Sequence, residues 1–145
     1  KRFGVQIDSL SDLICFGVLP GVTVYAAARG ALYAALAAGL YVLAALIRLA
    51  WFNVDEEERQ DTDNGQRGMY LGLPVTTAAL FLPTVLGLAR LLHGPLPILG
   101  TALLVVMALA FLSPFKLAKP RLPGMILMIL MGCAELVIVF LGVKP

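Results

Sequence analysis

The chain has 145 residues, of which 60% are hydrophobic and only 14% charged, with a mean hydropathy of +0.91. A soluble domain sits nearer half apolar and a quarter charged, so an ordinary soluble globule is excluded. The formal net charge of +2 is too small for a nucleic-acid binder and matters only through where the positive charges lie.

The first residue is Lys1 rather than Met, and no signal peptide precedes the first apolar run, so the chain reads as a piece of a longer protein. A spanning helix needs about 20 mostly apolar residues. Five segments qualify, at residues 8–28, 31–51, 75–92, 96–113 and 123–142. The runs are long and rich in Ala and Leu rather than alternating with period two, which excludes strands as the spanning elements. Helices also satisfy every backbone group internally, as lipid demands. The predicted fold is therefore all-α, a multi-span transmembrane helix bundle.

The connections fit this reading. Arg29-Gly30 breaks the chain between the first two spans, and His93-Gly94-Pro95 between the third and fourth. Residues 53–70 carry Asp55, Glu56, Glu57, Glu58, Asp61 and Asp63 and read as a solvated loop. Residues 114–122 form a basic connection with Lys116, Lys119 and Arg121. Lys1, Arg2, Arg48, Arg59, Arg67 and those three cations fall on one side of a five-span chain, against Arg29, Arg90 and Lys144 on the other. The positive-inside rule makes the first side cytoplasmic. In the second span Gly30, Ala34 and Ala38, and also Ala35 and Gly39, recur at four-residue spacing. Such stripes let helices approach closely, either within one chain or at a dimer seam. Cys15 and Cys133 sit in separate apolar runs without metal-site spacing and read as small buried hydrophobes.

The chemistry concentrates at the start of the first span. Gly4, Asp8 and Asp12 are spaced by four and share one helical face. Two carboxylates one turn apart repel by a few tenths of a kcal/mol on a watery surface. An ionised Asp inside lipid costs more, up to about 2.5–3.5 kcal/mol at the helix centre. A divalent cation would offset that cost, because hard cations prefer carboxylate oxygens. The alternative is attraction to the positive end of the helix dipole, which suits Asp8 and fits Asp12, a turn further in, poorly. Glu135, midway along the fifth span, is either functional or protonated and hydrogen-bonded to a neighbouring helix. His93 reads as a surface residue in a turn, and Met125, Met128 and Met131 as packing or lipid-facing surface.

Gly4-x3-Asp8-x3-Asp12 resembles the second half of the signature of the CDP-alcohol phosphatidyltransferases, D-x2-D-G-x2-A-R-x8-G-x3-D-x3-D. Three further stretches resemble the phosphatidylserine synthase branch: Cys15-Phe16-Gly17-Val18-Leu19-Pro20, Arg48-Leu49-Ala50-Trp51-Phe52-Asn53 and Gly72-Leu73-Pro74-Val75-Thr76-Thr77-Ala78. Trp51 departs from that pattern, which has Arg. The first half of the signature is not in the sequence and is expected upstream of Lys1, together with earlier helices. On this resemblance residues 1–145 are a single transmembrane catalytic domain lacking its N-terminal part, and the chain alone is not expected to be active.

The resemblance implies transfer of a phosphatidyl group from CDP-diacylglycerol to L-serine, giving phosphatidylserine and CMP. It implies a divalent cation, Mg²⁺ or Mn²⁺. Asp8 becomes a metal ligand, Asp12 the general base and also a metal ligand, and Gly4 the place where the nucleotide approaches the backbone. Arg48 either pairs with a phosphate or the serine carboxylate, or anchors the span by the positive-inside rule. Asn53 is a further substrate-binding candidate. The expected partners are CDP-diacylglycerol, L-serine, membrane lipid and a second copy of the chain, with no nucleic acid. The expected location is the inner membrane of a prokaryote with the site facing the cytoplasm. Two alternatives stand beside this one. The first is a sister enzyme using glycerol 3-phosphate or inositol phosphate, which the scarcity of basic residues disfavours. The second is a non-catalytic membrane scaffold or transporter.

Overall fold

A computed structural model of the chain describes residues 2–61, 69–114, 116–118, 130, 132–134 and 137. Helix α1 (Arg2–Asp12), a π-helical turn (Leu13–Val18) and α2 (Leu19–Ala27) form one continuous rod. In the wide turn the Leu19 N–H donates to the Ile14 carbonyl, five residues back. Pro20 gives the local reason. In a regular α-helix its ring would crowd the carbonyl four residues earlier, that of Phe16, and a wider turn relieves that clash. The rod ends in a turn where Arg29 and Gly30 both take positive φ, at 52° and 76°. This is the predicted break between the first two spans.

Helix α3 (Leu32–Asp61) is 30 residues long. It passes the predicted end at residue 51 and carries the acidic segment as far as Asp61, so the first half of the expected 53–70 loop is helix. Glu, Arg and Gln are strong helix formers, and they extend a helix already nucleated by its apolar part. After β1 (Met69–Leu71) the chain turns at Gly72, with φ of 72°, into a 3₁₀ turn (Val75–Thr77) and α4 (Ala78–Leu91). His93, exposed and with φ of 53°, closes α4, and α5 (Leu96–Leu112) follows. Strand β2 (Lys116–Ala118) then pairs antiparallel with β1, Tyr70 opposite Leu117. The bundle is all-α as predicted, and this three-residue ladder lies outside the spans. It ties the connection after α3 to the connection after α5, so both lie at the same end of the bundle. The predicted fifth span at 123–142, with Glu135, falls almost wholly outside the described residues.

Helix α3 is the centre of the packing, against α5, α2 and the π-turn. The core holds Val24, Tyr41, Ala45, Leu82, Leu104, Met107 and Phe111, with the Tyr41 and Phe111 rings tilted at 41° and 5.6 Å between centroids. Inside lipid, tight packing rather than water exclusion holds helices together. Glycines make that approach possible. A Cβ at Gly21 would lie 3.3 Å from Ala38 Cβ, and one at Gly100 3.1 Å from Val24 Cγ2. The small-residue rows of α3 therefore divide. Ala34 is buried and Ala38 packs on Gly21 at the floor of an open apolar groove of about 540 Å³, which Ala35 and Gly39 also line.

Many outward-facing residues of both long helices are aliphatic, among them Ile14, Leu19, Val22, Leu32, Leu36 and Leu43. Phe3–Ala27 and Leu32–Glu58 are long and apolar enough to cross a membrane, and Val75–Leu91 and Leu96–Leu112 are shorter apolar helices. Seventeen residues (the length of α5) reach about 26 Å at 1.5 Å per residue, near the lower limit for a span. Hydroxyls on these helices bond back to carbonyls four residues earlier, as Thr23 does to Leu19 and Thr101 to Pro97. The two cysteines are free, and both are exposed on helix surfaces rather than buried. An apolar run facing lipid has the same composition as one facing a core, which is why the sequence misplaces them.

Candidate active site

Asp8 and Asp12 stand one turn apart on α1, Asp8 exposed and Asp12 half-buried where the rod begins to pack on α3. A Cβ added at Gly4 would meet nothing within 4 Å. Packing among the described residues therefore does not demand glycine there, and the face is open from Gly4 to the exposed Asp8.

The neighbouring side chain supplies the tie to the rest of the bundle. Ser9 turns inward to α3, where its Oγ donates to Asn53 Oδ1 at 3.1 Å and Asn53 Nδ2 donates to Ser9 Oγ at 2.8 Å. Asn53 is thereby brought next to the carboxylate turn. Ser9 carries no distinguishing signal in the sequence, since Ser11 stands two residues on with the same side chain and only folding brings Ser9 to α3.

Arg48 goes elsewhere. It precedes Asn53 by five residues on α3, about 140° around the helix. Its Nε donates to the Leu73 carbonyl at 3.1 Å and its Nη2 to the Gly72 carbonyl at 3.3 Å. A Cβ at Gly72 would lie 3.3 Å from Arg48 Cζ and 3.0 Å from the Ser113 carbonyl. Arg48 thus clamps the loop entering α4, beside a cleft of about 200 Å³ that Trp51 and Phe111 also line. This is a third role, distinct from both that the sequence suggested. Gly72 and Pro74 shape the entry to α4.

Among the described residues no group of three or more His, Cys, Asp and Glu side chains comes together. The donor set at Asp8 and Asp12 is two hard carboxylate oxygens pairs on an open face. Mg²⁺ in particular is held by one or two carboxylates together with substrate phosphates and water rather than by a full protein cage. The residues present fit that half of such a site.

A helix bundle with two lipid-length helices and an open acid pair at the end of the first defines the class: a membrane-embedded helical protein with a polar, anionic site at one end. No family model matches the chain. Curated relatives do. The chain is 34% identical over 124 residues to an archaetidylserine synthase of Methanothermobacter thermautotrophicus, covering 85% of this chain and 47% of the relative. It is 36% identical over 87 residues to a CDP-diacylglycerol–serine O-phosphatidyltransferase of Saccharomyces cerevisiae, covering 59% of this chain and 30% of the relative. A protein of the same name from Methanocaldococcus jannaschii is 28% identical over 117 residues, covering 81% of this chain and 50% of the relative. The chain spans half or less of the length of these relatives. It is a homologue of proteins named as serine phosphatidyl- and archaetidyltransferases, the branch that its motifs resemble.

Proposed function

We propose that the chain is part of an enzyme that transfers a phosphatidyl group from CDP-diacylglycerol to L-serine, releasing CMP. One observation carries the reading: the Gly4-Asp8-Asp12 face stands at the polar end of a lipid-length helix in a chain whose matched relatives have serine in their names. Their names differ in the lipid and agree on serine, which favours serine over glycerol 3-phosphate or inositol phosphate.

In this reading Asp8 and Asp12 hold a divalent cation, Mg²⁺ or Mn²⁺. When bound, the cation neutralises the pyrophosphate and orients the attacking and leaving oxygens. Asp12 takes the proton from the serine hydroxyl as it attacks the phosphorus bearing diacylglycerol. The P–O bond to CMP then breaks, and CMP departs with the electron pair. A carboxylate in this role contributes about 10²–10⁴-fold. Gly4 leaves the backbone accessible to the nucleotide. Asn53, held by Ser9, lies where its amide can face the acceptor, whereas Arg48 is already engaged with the loop and acts on substrate only through it. The site faces the cytoplasm, because the connections after α3 and α5 lie at its end of the bundle and that end carries eight of the eleven basic residues by the sequence assignment. The open row of Ala35 and Gly39 suits a second copy of the chain, testable by disulfide trapping of Gly39→Cys in a background without native cysteines.

The acceptor is tested by giving the full-length protein CDP-diacylglycerol and a divalent cation with labelled serine, glycerol 3-phosphate or inositol phosphate in turn. Serine alone should enter lipid. Incorporation of a phosphorylated acceptor in preference to serine moves the chain to the sister reading. Indifference of thermal stability to both cation and CDP-lipid favours the non-catalytic one.

A further inference from the structure

The π-turn lies directly between the carboxylate pair and the half of the rod that packs in the bundle. Pro20 has no N–H, so the Phe16 carbonyl loses its ordinary α-helical donor. The Tyr41 hydroxyl, from the fully buried ring on α3, donates to that same carbonyl at 2.6 Å. Such a bond inside lipid has no water to replace it.

We propose that Tyr41 is a positioning residue that locks the π-turn and so sets the rotation of the Asp8–Asp12 face. A π-turn takes in one residue more than an α-turn. Everything ahead of it is rotated by up to about 100°, one α-helical residue, from where an unbroken helix would place it. Ser9, Asp12, Leu13, Phe16, Gly17 and Pro20 are buried or half-buried and form the side of the rod that meets the bundle, while Leu10 is exposed. With the turn in place Ser9 meets Asn53 and Asp12 sits beside α3. Were the turn to relax to α-helical pitch, Ser9 would swing off Asn53 and both carboxylates would move with it. Tyr41 touches neither carboxylate. It acts through the Phe16 carbonyl, while its ring is held by Phe111 at 5.6 Å.

The inference about catalysis rests on the proposed serine transfer, but its structural core can be tested without activity. In full-length protein with Cys15→Ala and Cys133→Ala, spin labels at Ser11→Cys and Leu43→Cys report the rotation of α1 against α3. Tyr41→Phe keeps the ring and removes only the hydroxyl. It should shift or broaden the label distance, with the thermal midpoint nearly unchanged. In the serine assay it should lower kcat about tenfold or more while leaving KM for CDP-lipid within about twofold, since small misplacements of reacting groups cost rate steeply. Phe111→Leu, which keeps the hydroxyl bond, should lower the midpoint without that loss of kcat. An unchanged label distance in Tyr41→Phe overturns the lock, whether or not the protein is active. A shifted distance with unchanged kcat overturns the positioning role, as does an equal kcat loss in Phe111→Leu. A wild-type protein that turns over no serine overturns the functional reading while the label distance still decides the lock.

Discussion

At the scale of single residues, the polar groups of the bundle's site end divide into those that bond to one another and those that do not. Ser9 and Asn53 satisfy each other, and Arg48 satisfies two loop carbonyls. Asp8 and Asp12 are placed on an open face instead, where neighbouring like charges gain nothing from each other. Asp12→Asn keeps shape and removes the base, so turnover should fall about 100-fold or more with helicity by circular dichroism unchanged. Near-native turnover would remove Asp12 from that role. Asn53→Ala leaves the half-buried Ser9 hydroxyl without its partner, a loss of about 1 kcal/mol. It should raise KM for serine more than KM for CDP-lipid if the amide faces the acceptor. Equal effects on both would make the pair a helix tie alone.

At the scale of elements, the sequence showed where helices start and stop wherever Gly or Pro marks the break. Arg29-Gly30, His93-Gly94-Pro95 and Gly72-Leu73-Pro74 all bound helices as read. Three features were not legible. Helix α3 runs on to Asp61 because helix propensity continues past the apolar run that defines a span. The β1–β2 ladder joins segments about 47 positions apart, as in Tyr70 and Leu117, and has no local signal. The partner of the Phe16 carbonyl lies 25 residues away on another helix. Pro20 removes a donor locally, but only folding supplies Tyr41. Close approach can be tested at the glycines. Gly100→Val pushes a branched side chain into Val24 and Leu86, and overpacking of this kind costs about 1–3 kcal/mol. Gly72→Ala forces a Cβ into positive φ, about 1–2 kcal/mol, and toward the Ser113 carbonyl. Both should lower the thermal midpoint in detergent. An unaffected midpoint in Gly100→Val would mean that α2 and α5 are not in contact there.

At the scale of the whole molecule, the bundle gives the site its surroundings: lipid around the helices, and at one end the acid pair with the paired connections after α3 and α5. The fold class and the acid pair were readable because both depend on local composition and spacing. The separation of Arg48 from Asn53 was not, since it depends on which face of α3 meets α1 and which meets the loop. Orientation can be checked with single cysteines in the background without Cys15 and Cys133. A membrane-impermeant maleimide applied to intact cells should label His93→Cys and spare Glu57→Cys, and the opposite pattern would place the acid pair outside the cytoplasm. The most direct measurement is CMP release by the full-length protein supplied with CDP-diacylglycerol and a divalent cation, with and without L-serine. Serine-dependent release that disappears in Asp12→Asn is the predicted result. Absence of serine-dependent release from a folded wild-type protein would contradict the account.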